Sequence, residues 1–408
     1  MRSFLTAFGV GWGIFMLVVM TGAGNGLVNG ITAGIKDFAT NSAFVSTQRT
    51  TKPYKGFKQG RYWQFNNQDM ETIRRQVPEI EILAPKLQGW DVSQGENVIR
   101  GLKSGSFTVN GDVPEYNLID PSEMVYGRFL NQIDMNENRK VCIIGERVYE
   151  VMFNKGEDPV GEHLKVSGVW FQVVGVFRSK NPNINIGSNK KESIYVPFTT
   201  MQQVYNYGDK VHFFGFTAKK GFSVEKTAEK VMGILRDKHS VAPDDSDAMW
   251  HINVEEMVKT MSYVFIGINL LIWIVGIGTL IAGAVGISNI MLVIVRERTK
   301  EIGIQRAIGA APRVIVGQIL TESVFLTTLA GFIGLALGTL VLHLVSIGLE
   351  YTKASQPDDG STFFANPQIG LFLAITSLVI LIITGLIAGF IPAQKAIRIK
   401  PIEALRQE

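Results

Sequence analysis

The sequence predicts an α-helical membrane protein: four transmembrane helices, plus a large mixed α/β extracytoplasmic domain on a long stalk helix. Three observations predict this. Hydrophobic residues make up an unexceptional 46% of the 408 residues, yet they segregate into apolar runs at 3–28, 263–295, 314–348 and 369–393. Each run is long enough to cross a bilayer, which needs ~20 apolar residues. Residues 30–255, in contrast, are mixed in character and nearly neutral, with 28 Lys/Arg against 27 Asp/Glu. Finally, Asn253 to Glu297 contains no Pro, and no Gly before Gly267. One helix of that length would reach ~65 Å, whereas the hydrocarbon core takes ~30 Å. The excess must project as a stalk.

The first run, 3–28, has no charge between Arg2 and Lys36. A cleaved signal peptide would have a shorter apolar core, ~7–15 residues, ending at a small-residue site. Here the glycines are spread along the run, so we read a retained span with Arg2 inside. The GAGNG segment (Gly22, Gly24, Gly26) would need a strand before it and a helix after it to cradle phosphate. Close helix packing through small residues is its better reading.

In the block 30–255, strand-like runs at Val141–Gly145, Phe171–Phe177 and Ser193–Pro197 are rich in β-branched and aromatic residues. Helix-like stretches interleave: Asn67–Gln76 (with Asn66 as N-cap), Glu146–Phe153 and Val224–Lys238. Residues 182–193 read as a polar loop, and Asp244, Asp245 and Asp247 as a solvated acidic turn. Its spacing does not fit an EF-hand. The lone cysteine, Cys142, excludes a disulfide framework. The five histidines (163, 212, 239, 251, 343) lack ligand spacing. A neutral block of this kind argues against nucleic acid as a partner.

After the stalk and second span (253–297), a charged segment at 298–313 separates the second and third spans. A short polar stretch, 349–368, precedes the fourth span, and a basic tail, 394–408, follows it. Arg2, the charged segment with its edge, and the tail together carry ten Lys/Arg and four acids. The positive-inside tendency therefore places both termini in the cytoplasm and the large domain outside.

Within RERTKEIGIQRAIGAA (296–311), Ile304, Ile308 and Ala311, extended across Pro312 to Ile315, fall on one helical stripe. Glu297, Glu301 and Gln305 fall on another. Physics alone leaves two readings open, docking of a cytoplasmic partner and contact with the inner lipid surface. No GxxxxGK[ST], GxSxG, HExxH or CxxC occurs. The chain has no phosphate loop of its own.

The segment ERTKEIGIQRAIGAAPRVIVGQILTES resembles the signature of FtsX-like, MacB-type ABC transporter permeases, through Glu297, Arg298, Glu301, Ile302, Gly303, Ala307, Gly309, Ala310 and Glu322. The tail IPAQKAIRIKPIEALRQE is similar to the family's closing motif, through Pro392, Ala393, Ala396, Pro401, Glu403, Ala404, Leu405 and Arg406. RSFLTAFGVGWGI resembles the family's first span. DPVGEHLKVSGVWFQVVGVF (158–177) resembles its periplasmic core.

The resemblance implies a coupling segment that docks on a cytoplasmic ABC ATPase, with Arg306 among its contacts. ATP and Mg would bind on that partner chain and no cofactor on this one. It implies a second half, a homodimer partner or a related permease, and a periplasmic adaptor with an outer-membrane channel. The location would be the inner membrane. A porter-like part would comprise about 30–95 and 200–255, with an inserted subdomain at about 96–199. The implied activity is mechanotransmission: ATP hydrolysis drives a periplasmic change that exports or hands over a drug, peptide or lipoprotein. The alternative is a non-transporting regulator of a cell-wall hydrolase. Such relatives have smaller external domains, so the size here favours export. Relatives usually carry an amphipathic helix before the first span, whereas this sequence starts at Met1-Arg2-Ser3. Either the start is truncated or that helix is absent.

Overall fold

The computed structural model describes residues 2–33, 37–180, 186–355, 364–367 and 371–398. The chain divides into two compact units, Ala33–Met261 and Met1–Thr32 with Ser262–Glu408.

The second of these contains α1 (Arg2–Ala33) and the apolar part of a 44-residue helix, Val254–Glu297. It also contains the helices Thr299–Ala307, Pro312–Ser355 and Leu371–Ile397. Four of these are long and apolar enough to cross a membrane. The helix expected at 314–348 runs on to Ser355, because Leu349–Tyr351 contain no breaker. Lipid offers no hydrophobic drive between helices, so small residues must let backbones approach. A Cβ on Gly334 would lie 2.2 Å from the Gly11 carbonyl oxygen, and one on Gly22 2.2 Å from Leu342. Ser323 Oγ donates to the Gly385 carbonyl at 2.9 Å.

The external unit contains β1 (Ser42–Thr47), β2 (Phe65–Asn66), α2 (Asn67–Gln76), β3 (Ile80–Gln88), β4 (Val98–Arg100), β5 (Lys103–Gly105) and β6 (Thr108–Asp112). Next come α3 (Tyr116–Ile119), β7 (Ser122–Gly127), α4 (Gln132–Asn136), β8 (Val141–Gly145), α5 (Glu146–Met152), β9 (His163–Val166) and β10 (Val169–Ser179). It ends with β11 (Ser193–Pro197), α6 (Phe198–Val204), β12 (Lys210–Val211), β13 (Phe213–Ala218), α7 (Val224–Lys238) and β14 (Met249–Asn253). The remaining helices are α8 (Val254–Glu297), α9 (Thr299–Ala307), α10 (Pro312–Ser355) and α11 (Leu371–Ile397).

The sheet order is β14-β1-β13-β3-β6-β11-β8-β10-β9-β4-β5, with β7 beside β10 and a separate β12–β2 pair. The first four strands pair antiparallel. With α2 and α7 they form a βαββαβ unit of the split, ferredoxin-like kind. Everything from β4 to β12 is inserted where that unit would have its central hairpin. In the insertion, β11 runs parallel to β6, and β10 parallel to β8. One hydrophobic core threads both parts, from Val45, Ile73 and Phe216 to Ile144, Phe171 and Val196.

Two helices start on capping boxes, Asn66 with Asp69 and Asn131 with Asp134. Burial would raise the Asp134 carboxyl, but Arg128 (Nη1 to Oδ2, 2.6 Å) and the Asn131 N–H hold it below its ordinary value. Burial likewise opposes, and His239 and Lys238 at 2.8 Å overcome it to lower, the Asp69 carboxyl. Asp244 and Asp247 are exposed, as a solvated turn requires, but the expectation is corrected at Asp245, which is fully buried and accepts from Thr51 and Lys52.

Two outcomes follow from this packing and these carboxylates. Gly334→Ala should lower the melting temperature of the full chain in detergent, by an amount equivalent to about 1–3 kcal/mol of overpacking. Gly317→Ala, where a Cβ meets nothing within 4 Å, should not. The lowered carboxyls contribute stability that is complete above their unfolded value of about 4 and is lost as pH falls through the folded value. Asp134→Ala should therefore cost about 1–2 kcal/mol near neutrality, and the deficit should shrink as pH falls below the unfolded value of about 4. Tryptophan-fluorescence melting checks it, and a pH-independent deficit would contradict it.

Candidate functional site

The charged segment between the second and third long helices is a short helix held at both ends. α8 ends at Glu297, Arg298 makes the turn, and α9 covers nine residues. The backbone ladder persists through the turn, with Arg298 N–H to Ile294 O at 2.9 Å and Ile302 N–H to Arg298 O at 3.0 Å. α9 is stopped by Gly309, whose φ of 101° suits only glycine. The Gly309 N–H donates to Arg306 O at 3.2 Å and the Ala310 N–H to Gln305 O at 3.0 Å. These two bonds make a Schellman end. Pro312 then opens α10, where its missing N–H costs nothing.

α9 has two faces. Ile302 and Gly303 are buried, and Ile302 joins a core with Met291, Val295, Ile315, Ile319 and Ala396. Glu297, Arg298, Glu301, Ala307 and Gly309 are exposed, and Ala310 is half-buried. Ile304 is 44% exposed and Ile308 83%. The single stripe expected from Ile304 to Ile315 does not form. Gly309 breaks the helix, so Ile315 turns into the bundle while Ile304 and Ile308 stay outside.

Arg298 Nη1 lies 3.2 Å from Glu322 Oε2, at the rim of a cavity of about 30 Å³ that Glu301, Gln305 and Gln318 also line. The Arg306 guanidinium donates to the carbonyl of Ile397, the last residue of α11. A cation there satisfies an orphan carbonyl and opposes the helix dipole. Arg306 thus ties the first sequence motif to the start of the second, a role that its place in the sequence did not signal. Pro392 is buried inside α11, where it removes one ladder bond. Pro401, Glu403 and Arg406 lie outside the described residues.

A second constellation, missed in the sequence, sits in the external unit. Lys86 on β3 is 2% exposed, with Nζ 3.3 Å from Asp112 Oδ2 and over the rings of Tyr116 (3.7 Å) and Tyr195 (4.5 Å). Lys190 Nζ lies 2.7 Å from Asp120 Oδ1 and donates to the Asp120 carbonyl at 2.8 Å. Lys190 belongs to the stretch read as a polar loop, yet it is buried. Residues 182–185 of that stretch lie outside the described residues. Burial pushes the Lys190 ammonium down, against Asp120, and the Asp112 carboxyl up, against Lys86. Burial also raises the Tyr116 and Tyr195 phenols. The adjoining cavity, about 30 Å³, has room for a water or two. This cluster ties β3 to the insertion.

Residues 3–234 match the MacB-like periplasmic core domain, and residues 260–401 the FtsX-like permease C-terminal domain. The chain is 29% identical over 412 residues to the pyoverdine export ATP-binding/permease protein PvdT of Pseudomonas entomophila (strain L48). It is 27% identical over 412 residues to the macrolide export ATP-binding/permease protein MacB of Bdellovibrio bacteriovorus. Both alignments cover 100% of this chain, but only 57% and 59% of the relatives' own length. Among solved structures, the periplasmic region of MacB from Actinobacillus actinomycetemcomitans is similar over 56% of this chain and 95% of that one, at 17% identity and a TM-score of 0.44.

Proposed function

This chain belongs to the family that joins a MacB-like periplasmic core domain to an FtsX-like permease domain, and from that premise we propose that it is the permease part of an ABC transporter driven by an ABC ATPase. The two-sided α9 carries this reading. Ile302 and Gly303 are buried, while Ile304, Ala307 and Ile308 are exposed, as are the acids Glu297 and Glu301. A soluble ATPase would cover the exposed apolar face, and the buried face would pass its motion on. ATP and Mg would bind on that ATPase.

In this reading both termini are cytoplasmic, as the inner excess of Lys/Arg requires. α8, ~65 Å long at 1.5 Å per residue, carries motion to the periplasmic domain. Mechanotransmission of this kind would expel or hand over a substrate such as a drug, peptide, lipoprotein or siderophore. The βαββαβ unit would be the porter-like part, and β4 to β12 the inserted subdomain.

The second permease half fits α8. Leu271, Val275, Gly278, Ala282, Val285 and Asn289 are exposed and recur at alternating steps of four and three, the seam of paired helices. Asn289 is seven residues from Arg296, ~10 Å into the hydrocarbon, and makes no hydrogen bond among the described residues. A second copy would supply the complementary amide.

Two measurements test this. Ile308→Asp should abolish stimulation of the co-purified ATPase while the melting temperature stays unchanged; full stimulation would sink the coupling role. Asn289→Leu should weaken self-association in detergent by ~1 kcal/mol, about fivefold. An unchanged dimerisation constant by sedimentation would remove α8 from the interface.

A further inference from the structure

Between β1 and β2 the chain carries five cations, Arg49, Lys52, Lys55, Lys58 and Arg61, and no acid from residue 48 to residue 68. A charge run is ordinarily a solvated face. This one is built differently in three respects.

It is fixed. Its neck closes where Thr50 N–H donates to Arg61 O at 3.2 Å and Arg61 N–H to Thr50 Oγ1 at 3.1 Å. The buried Asp245 carboxylate accepts from the Thr51 and Lys52 N–H groups at 2.8 and 3.1 Å. Arg61 Nη2 donates to the carbonyls of His239 and Ser240 at 2.6 and 3.0 Å. The tip turns on a Tyr54–Phe57 bridge.

Its cations are held by rings rather than acids. Arg49 lies 4.3 Å over Tyr62, Arg61 4.1 Å over Phe57, and Lys55 5.3 Å over Tyr54. Only Lys52 has a carboxylate partner, Asp244 at 2.7 Å. Arg49, Lys55, Lys58 and Arg61 have none among the described residues. Rings order a cation without cancelling its charge, so less side-chain entropy remains to be lost on binding. Tyr62 is 73% exposed and Phe57 47%. Aromatics and Arg side by side are the composition of binding hot spots.

Its position is also informative. Ala43 of β1 pairs with Asn253 of β14, next to the connections to α1 and α8, whereas Thr47 pairs with Met249 at the other end. The loop leaves from that other end, ~15 Å along the strands. The loop therefore leaves the sheet at the end away from the chain connections that join the two compact units.

We propose that the loop at residues 48–62 is a docking surface for a carboxylate-rich segment of a separate protein. Arg49, Lys55 and Lys58 would meet its acids, with Arg61 holding the neck, and Phe57 and Tyr62 would pack on apolar atoms between them. This goes beyond the ATPase coupling proposed above and does not depend on it, since α9 lies in the other compact unit.

The test places a photo-crosslinking amino acid at Tyr62 of the full chain in native cells. The expected result is an adduct with a second protein whose linked peptide is rich in Asp and Glu. The triple change Arg49→Glu, Lys55→Glu and Lys58→Glu should cut its yield about tenfold or more. The charge-keeping change Arg49→Lys, Lys55→Arg and Lys58→Arg should retain it. The proposal is overturned by adducts only with lipid, glycan or another copy of this chain, by no adduct, or by equal yield after charge reversal at an unchanged melting temperature. Stimulation of the ATPase in the same variants reports separately on the coupling reading and should be unaffected.

Discussion

The hydrocarbon interior offers a peptide group nothing to bond with, and most of this molecule's design follows from that. Every N–H and C=O inside it must pair within its own helix, so the apolar runs are continuous helices. Glycine, which would weaken a helix in water, becomes useful there. Gly11 and Gly334 bring two backbones together so closely that a Cβ on the latter would lie 2.2 Å from a carbonyl oxygen. Polar chemistry is pushed to the ends of the spans and into the external unit. The α9 segment is the point where the ladder is allowed to turn, and each of its ends has a named device: continued bonding through Arg298 at one, a Gly309 Schellman end and Pro312 at the other.

Elements set by local chemistry were legible in the sequence. Helix Asn67–Gln76 with Asn66 as its cap, strand Val141–Gly145, strand Ser193–Pro197 and helix Val224–Lys238 stand where their periodicity and flanking residues put them. The family could be read because its motifs are local too. What escaped depends on partners far along the chain. Lys190 looks like a loop residue until Asp120, seventy residues earlier, is placed beside it. Asp245 looks solvated until Thr51 arrives. The Ile304–Ile315 stripe failed for a different reason. Periodicity presumes an unbroken helix, and one residue at positive φ re-aims everything beyond it. Arg306, which the resemblance implies as a contact for a partner, also engages Ile397 through its guanidinium.

That engagement bears on how α9 could act. A charge free to meet a partner and a charge that closes α11 are different instruments. With Arg306 bonded inward and Ile302 in the core, α9 is attached to α10 and α11 as well as to α8. Close-packed interiors are stiff, so a displacement imposed on Ile304 and Ile308 could not be absorbed within a nine-residue helix fixed at both ends. It would pass to the helices that hold it. On the proposed function, the exposed isoleucines are therefore the input and the buried one is the linkage. What these helices must supply in that reading is a rigid connection, and the continuous backbone ladder that the bilayer demands already provides one.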